Sequence, residues 1–420
     1  SIDLAITNVT ITGIHAGEYT ITLMPSSPVS TSAVGDLQIT FDPAGEGVRT
    51  AAVEIETDDP DEPVYVINLT GRGVMPMMVV NGGGSSSNTA TYDPINNSFN
   101  SAVSIGPVSS GGHSFLLDSS SSYLGRRMVI HSSGTNTTIY NPADQTRITS
   151  PSSPGTITAI GNGAHSFKIT GGSNINSYLV VCGGGSNATR LYNQTTDSFN
   201  SGIFTMGASV GYGSFSLPTA GGDRVIVLGG GSSYYQVFYQ ATNTLDPIVD
   251  INASAYVYQG GHASLIPAGA LHAGKWLVIE GLNITWLYDP AGPSFSSGPN
   301  LTGNAGLGAH SIPIKEGPNA GSILILHGYN AGTPTPTTTS VYNKNNTITS
   351  GPIISPGIYD GAFSFRITGG VHKGKFMVIH GGSSQTTSIF NPYTMSFEAA
   401  DGTDDLPQPA GAGAHCFPAR

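Results

Sequence analysis

The chain has 420 residues, of which only 10% are charged and 57 are glycine, and its formal net charge is −11. The length allows two or three domains and a large core. Because the negative charge arises from scarce Lys and Arg, the sequence has no basic stripe to follow a phosphate backbone, which excludes nucleic acid as an expected partner. No window approaches about 18 consecutive apolar residues, so we expect no membrane span.

Short runs of Val, Ile, Tyr and Phe, split by Gly and Pro, are typical of strands, and few helix formers are present. An all-β chain is therefore expected. Residues 1–73 contain five or so such runs and predict a small β-sandwich. The stretch "ITFDPAGEGVRTAAVEIETDDPDEPVYVINLTGRG" resembles the immunoglobulin-like modules of bacterial surface proteins called choice-of-anchor D, relatives of the ASPM, SPD-2 and Hydin family.

Modules of that family usually have one or two strands before the position where this chain starts. Two explanations stay open for a sandwich that lacks its first strand. The chain is a fragment or a processed product, or another chain supplies the strand. A donated strand implies self-association, or association with another surface protein, by β-strand addition to this module.

Residues 76–420 repeat one pattern seven times. Each copy has an apolar run ending in glycines, a second run closing on an aromatic residue and a turn, a weaker third strand, and a short phrase such as "GAHSF". The aromatic positions are Tyr92, Tyr140, Tyr192, Tyr239, Tyr288, Tyr342 and Phe390. The third residues of the phrase are His113, His165, Gly213, His262, His310, Phe363 and His415, at steps of 52, 48, 49, 48, 53 and 52 residues.

A period near fifty with four short strands per copy predicts a seven-bladed β-propeller. The phrase that ends the chain has no copy of its own to join, so we expect it to pair with the first blade and close the ring. The glycine pair, the "YDP…SF" step and the "HS" dipeptide resemble kelch repeats, the propeller family related to the central domain of galactose oxidase. Here Phe stands after the turn where that family has Trp, and some copies lack the glycines.

The glycine-ended runs place seven residues at one equivalent position: Asn81, His131, Cys182, Leu228, Glu280, His327 and His380. Of these, His131, Glu280, His327 and His380 are candidate ligands of a transition metal. The alternative is that these residues are hydrogen-bonded polar caps on strand ends, too far apart to share one ion. The histidines of the repeated phrase recur too regularly for a catalytic site, so we expect them to be structural.

Acidic turns are candidate Ca²⁺ sites, namely Asp58, Asp59 and Asp61 in "ETDDPDE" and the stretch "DGTDD" at 401–405. Neither has EF-hand spacing, and solvated turns are the alternative; otherwise no cofactor is expected. Asn-x-Ser/Thr sequons and the tract "GTPTPTTTS" add glycosylation candidates at Asn136, Asn187, Asn283, Asn300, Thr335 and Thr337.

The sequence contains no nucleophile elbow, phosphate loop, HExxH or CxxC motif. The kelch resemblance raises the possibility of a copper-radical enzyme, but neither Cys182 nor Cys416 lies in a recognisable cross-link context. We therefore expect a non-enzymatic extracellular or cell-surface structural or binding protein, such as a self-assembling appendage, filament or surface-layer subunit. The alternative is a carbohydrate-binding or carbohydrate-active secreted propeller, in which Trp276 and Trp286 are the sugar-stacking platforms.

Overall fold

A computed structural model describes residues 3–84, 88–118, 120–132, 137–142, 144–149, 160–251, 256–330, 336–398 and 405–419. The described chain is all-β apart from one turn of 3₁₀ helix at Ala16–Glu18. It divides into two compact units, Ser1–Pro76 and Met77–Ala419. None of the described helical segments is long and apolar enough to span a bilayer.

The first unit contains a three-stranded antiparallel sheet and a two-stranded one. The larger sheet has the order β1-β4-β5, with β1 at Ile6–Thr12, β4 at Gly47–Thr57 and β5 at Val64–Gly73. The smaller sheet pairs β2 (Tyr19–Leu23) with β3 (Gln38–Phe41). The small core of the first unit includes Val9, Tyr19, Ala51 and the fully buried Val53.

The second unit is a seven-bladed β-propeller, since its described residues form six four-stranded sheets and one five-stranded sheet. Within each blade the strands follow one another in the sheet from the first strand to the last. Blades 1 to 3 are β34 (His415–Pro418), β6 (Met77–Val80), β7 (Thr89–Asp93), β8 (Ser98–Ala102); β9 (His113–Leu116), β10 (Arg127–Ile130), β11 (Thr137–Asn141), β12 (Thr146–Thr149); and β13 (His165–Lys168), β14 (Ser177–Val181), β15 (Ser186–Asn193), β16 (Ser198–Val210).

Blade 4 has a divided outer edge, because β20 and β21 both pair with β19. Its strands are β17 (Phe215–Pro218), β18 (Arg224–Val227), β19 (Tyr234–Tyr239), β20 (Thr244–Leu245) and β21 (Val249–Asp250). Blades 5 to 7 are β22 (His262–Leu265), β23 (Trp276–Ile279), β24 (Thr285–Asp289), β25 (Ser294–Ser297); β26 (His310–Pro313), β27 (Ile323–Leu326), β28 (Thr339–Asn343), β29 (Thr347–Ser350); and β30 (Phe363–Arg366), β31 (Phe376–Ile379), β32 (Thr387–Asn391), β33 (Ser396–Glu398).

The strands that carry the repeated phrase lie innermost, because the first strands of successive blades contact one another. The chain's last strand, β34, completes blade 1 by pairing with β6, with His415 opposite Val80. Second strands such as β14 and β27 are buried along their whole length. Their side chains pack on both sides against neighbouring blades, which explains why these runs are continuously apolar instead of alternating.

The structure corrects the alignment of the copy that forms blade 4. A glycine with positive φ precedes each first strand by two residues, as at Gly163 (φ 79°), and in blade 4 this glycine is Gly213 (φ 75°). The residue equivalent to His165 is therefore Phe215 and not Gly213. The aromatic residue of β19 that matches Tyr192 is the fully buried Phe238 and not Tyr239.

Candidate functional site

The histidines after the second strands are buried, and each has a hydroxyl partner in its own blade. His131 Nε2 lies 3.0 Å from Thr138 Oγ1, and His380 Nε2 lies 2.8 Å from Ser388 Oγ. His327 Nε2 lies 2.7 Å from Ser340 Oγ. All three hydroxyls come from the second residue of a third-strand run, so each histidine is matched by a hydroxyl side chain in the same blade.

Glu280 is matched in a different way, because the equivalent third-strand residue is Trp286, whose Nε1 donates a hydrogen bond to the Glu280 carboxylate. Burial raises the pKa of Glu280, lowers the pKa values of His131 and His380, and lowers the pKa of His327 to about 4. Among the residues that the structure describes, no three His, Cys, Asp or Glu side chains come close enough to hold a metal ion. The four candidate metal ligands lie in four separate blades.

A second ring of histidines lines the propeller axis. These are the five histidines that begin the first strands. In each of them Nδ1 lies 2.7–3.0 Å from the carbonyl oxygen of the glycine two residues earlier, which requires a proton on Nδ1. The Nε2 atom is therefore an acceptor. In His262 this atom lies 2.7 Å from Ser311 Oγ of the next blade. In the other four histidines Nε2 is buried and has no hydrogen-bond partner; these are His113, His165, His310 and His415.

The residue types of neighbouring first strands are matched around the ring, as the His262–Ser311 contact shows. Where the first residue of a blade's first strand is histidine, the second residue of the next blade's first strand is serine, as with His310 and Ser364. The two blades with phenylalanine are followed by Ala263 or Cys416 instead, and these side chains pack in the same apolar clusters as their phenylalanines. The residue types are thus matched between neighbouring blades all round the ring, and His262–Ser311 is the pair in which the match is a hydrogen bond among the described residues.

The acidic turn of the first unit uses its carboxylates within the chain. Asp58 Oδ1 accepts from Ala5 N at 2.8 Å, and Asp59 Oδ1 accepts from Asp61 N at 2.9 Å. Of the stretch 401–405, residues 401–404 lie outside the described chain, while Asp405 Oδ1 accepts from Thr387 N at 3.0 Å. Each of these three oxygens accepts a backbone hydrogen bond, and Ca²⁺ binding at the two acidic turns stays a prediction.

The glycosylation candidates lie in different environments. Asn187, Asn283 and Asn300 are exposed, whereas Thr337 is half-buried. Asn136 and Thr335 lie outside the described residues.

A pocket that the sequence reasoning missed opens beside the axis at blades 4 to 6. In an antiparallel blade, the loop before the first strand and the loop after the second strand lie at the same end. Both kinds of loop line the pocket. The pocket has a volume of about 370 Å³. We call it the tyrosine pocket; its lining is Tyr212, Gly230, Gly231, Tyr258, Gln259, Gly281, Leu282 and Asn330.

The walls of the tyrosine pocket are aromatic faces and bare backbone. Tyr212 is 39% exposed and Tyr258 is 41% exposed. A Cβ added at Gly231 would lie 3.2 Å from the Tyr258 ring, and one at Gly281 would lie 2.5 Å from the Gln259 carbonyl oxygen. No described lining residue carries a charge, so the hydrogen-bonding groups on offer are neutral hydroxyls, amides and backbone.

No protein-family model and no curated protein matches the chain. Among solved structures, the chain is similar to a fungal alcohol oxidase of the AA5 family in complex with copper. The identity is 14% and the TM-score is 0.48, over 73% of this chain and 67% of that chain. At this identity the likeness concerns the all-β propeller fold alone.

The expected non-enzymatic role and the expected absence of a cofactor are contradicted by this neighbour, which is a copper-bound enzyme. We withdraw the filament or surface-layer role and its carbohydrate alternative. The absence of a sequence motif was a poor argument, because a propeller can bring together residues from several blades.

The described residues do not fit a copper centre either. Among the residues that the structure describes, the inner histidines do not come together with further His, Cys, Asp or Glu side chains in a group of three. No step is therefore assigned to copper.

Proposed function

We propose that the propeller binds a neutral, flat organic molecule of the phenolic type in the tyrosine pocket. The observation that carries this proposal is the pair of half-exposed rings, Tyr212 and Tyr258, in a concave site without charges. Pockets for small organic ligands are lined mainly by apolar and aromatic side chains with a few well-placed polar groups, which is the composition of this pocket.

The shape and chemistry of the walls favour a planar ligand. Glycines such as Gly231 give a smooth backbone wall against which a ring can lie while its other face contacts a tyrosine. Aromatic pairs in offset or edge-to-face geometry contribute about 0.5–1.5 kcal/mol beyond the buried area. Gln259 and the tyrosine hydroxyls are then available for the ligand's hydroxyl groups.

The test is calorimetric titration of the full chain with 4-hydroxybenzyl alcohol. We expect saturable binding that Tyr258→Ala weakens about 3- to 10-fold. The matched control is Tyr393→Ala, which removes an exposed tyrosine from a loop between third and fourth strands, at the opposite end of the blade. Tyr393→Ala should leave the affinity unchanged.

Two further ligands separate the proposal from its competitors. The anionic 4-hydroxybenzoate should bind more weakly, because the pocket offers no cation. Methyl β-galactoside should not bind. No binding of the phenolic probe, equal loss in both tyrosine variants, or preferential binding of the galactoside would overturn the proposal.

Three finer assignments stay proposals: the kelch type of the repeats, the immunoglobulin-like class of the first unit, and an extracellular location. The low proportion of charged residues and the many hydroxyl and amide side chains support an extracellular location.

A further inference from the structure

The outer strand of the first unit, β5, has an unusual surface. It lies at one end of the order β1-β4-β5 and pairs only with β4. Four consecutive apolar residues at its start are exposed, with values of 47%, 51%, 51% and 37%: Val64, Tyr65, Val66 and Ile67. An exposed apolar stretch on an edge strand is a template for another strand.

The opposite edge of the same sheet is protected. Leu4, just before β1, forms a bridge with Val29, and Ser27 Oγ both accepts from Ile6 N and donates to Ile6 O. In the described part of the chain, by contrast, no backbone hydrogen bond joins Tyr65–Arg72 to anything beyond β4. The free edge of this sheet is therefore β5.

We propose that β5 pairs with β5 of a second copy of the chain, in an antiparallel, two-fold symmetric dimer. A symmetric interface requires a self-complementary surface. The strand meets this requirement, because exposed acidic residues of the turn at 58–62 precede it and exposed Arg72 lies near its end. Antiparallel pairing brings the acidic end of one copy to the basic end of the other.

Charge pairing also selects the register. With Glu62 of one copy opposite Arg72 of the other, Ile67 lies on the two-fold axis, and Tyr65 faces Leu69. On one face of the ribbon Ile67 meets its own copy between two Tyr65–Leu69 pairs, while on the other face Val66 meets Asn68; an ion pair forms at each end. The proposal is independent of the ligand proposed for the propeller.

A cysteine scan of the full chain tests the register. In Ile67→Cys the two cysteines face each other at about 4.5–5.5 Å between Cα atoms, which is within disulfide range. We expect mild oxidation to give a covalent dimer on a non-reducing gel. In the matched control, Val64→Cys, the two sulfurs lie about 20 Å apart along the ribbon and should not cross-link.

Exchanging the charges of Arg72 and Glu62 tests whether the partner is a second copy of the chain. Sedimentation velocity over a concentration series should show a reversible dimer of the unmodified chain, weakened about 2- to 30-fold by Arg72→Glu, since the axis creates the exposed ion pair twice. Adding Glu62→Arg should restore the affinity. A monomer at every concentration, equal cross-linking of both cysteine variants, or no rescue by the exchange would overturn the proposal; a monomer would point to another protein's strand.

Discussion

Glu280 is the one carboxylate among the residues that follow the second strands. It is 1% exposed, and Trp286 Nε1 donates a hydrogen bond to it. Burial raises the pKa of this carboxyl despite that bond. Because the folded pKa is above the unfolded value, the protonated side chain stabilises the fold at low pH, and this stability is lost as pH rises through the folded pKa.

Glu280→Gln keeps an oxygen acceptor for Trp286 and removes the ionisation. We expect this variant to gain stability relative to the unmodified chain as pH is raised from 5 to 8, measured as the midpoint of urea unfolding at each pH. Glu280→Leu is the control, because it leaves the indole N–H unpaired and should cost about 1–3 kcal/mol at both pH values. A pH-independent effect of Glu280→Gln would show that the carboxyl titrates normally.

At the scale of strands, the propeller ring is held by side-chain pairs between neighbouring first strands. His262 and Ser311 form such a pair across β22 and β26, at 2.7 Å. Between β17 and β22 the equivalent residues are Phe215 and Ala263, which pack in one apolar cluster. The His262 and Ser311 side chains satisfy each other, and the Phe215–Ala263 pair has no polar atom to satisfy, whereas a mixed pair at these positions leaves a polar atom without a partner.

A double-mutant cycle on this pair tests this matching of residue types. We expect His262→Phe and Ser311→Ala each to destabilise the chain by about 1 kcal/mol or more, and the double variant to recover part of the loss because it reproduces the Phe215–Ala263 pair. The measurement is urea unfolding of the four proteins at pH 7.5. Strict additivity of the two effects would contradict coupling between the blades.

The same strands show where sequence reasoning succeeds and where it stops. The period, the all-β class and the propeller followed from glycine turns and apolar runs. The alignment of blade 4 did not, because "GYGSF" contains glycines at both Gly211 and Gly213, and only the backbone shows which of them has the turn conformation equivalent to Gly163.

The tyrosine pocket shows a second limit. Tyr212 stands where blade 3 has Asn162, and Tyr258 stands where blade 3 has Gly161 and blade 7 has Tyr359. A tyrosine at one of these positions does not by itself mark the pocket, and nothing in the sequence says that the side chains of blades 4 and 5 converge. Conversely, the equivalent positions of His131, His327 and His380 were visible in the sequence, while the hydroxyl partner of each histidine in its own blade is visible only in the structure.

At the scale of the whole molecule, the propeller depends on histidines that are kept neutral. Burial lowers their pKa values from 6.5, to about 4 at His165, His262, His310, His327 and His415, and in the same direction at His113, His131 and His380. In the unfolded chain these side chains take up protons near pH 6.5. The folded state therefore binds fewer protons than the unfolded state in the range between the two values.

The sign of this difference predicts a loss of stability in mild acid. Each neutral histidine contributes stability that is fully present above about pH 6.5 and declines by about 1.4 kcal/mol per pH unit down to its folded pKa. Carboxylates with lowered pKa values, such as Asp118 and Asp289, lose their contribution only below their ordinary range near 3.8. The loss between pH 6.5 and 4 therefore comes from the eight histidines, and the raised pKa values of Glu280 and Asp360 act in the opposite direction.

We expect the urea midpoint of the unmodified chain to fall steeply between pH 7 and pH 4.5, with the dependence of unfolding free energy on urea unchanged. The variant His262→Phe/Ser311→Ala should show a shallower fall, because one titrating side chain is gone while the packing resembles that of Phe215 and Ala263. His272→Phe is the matched control, since this histidine lies in a loop of the propeller outside both buried sets. Equal slopes in all three proteins, or a midpoint that is flat above pH 5, would mean that the inner histidines are protonated in the folded ring, and the neutral Nε2 acceptor assigned to His262 would then be wrong.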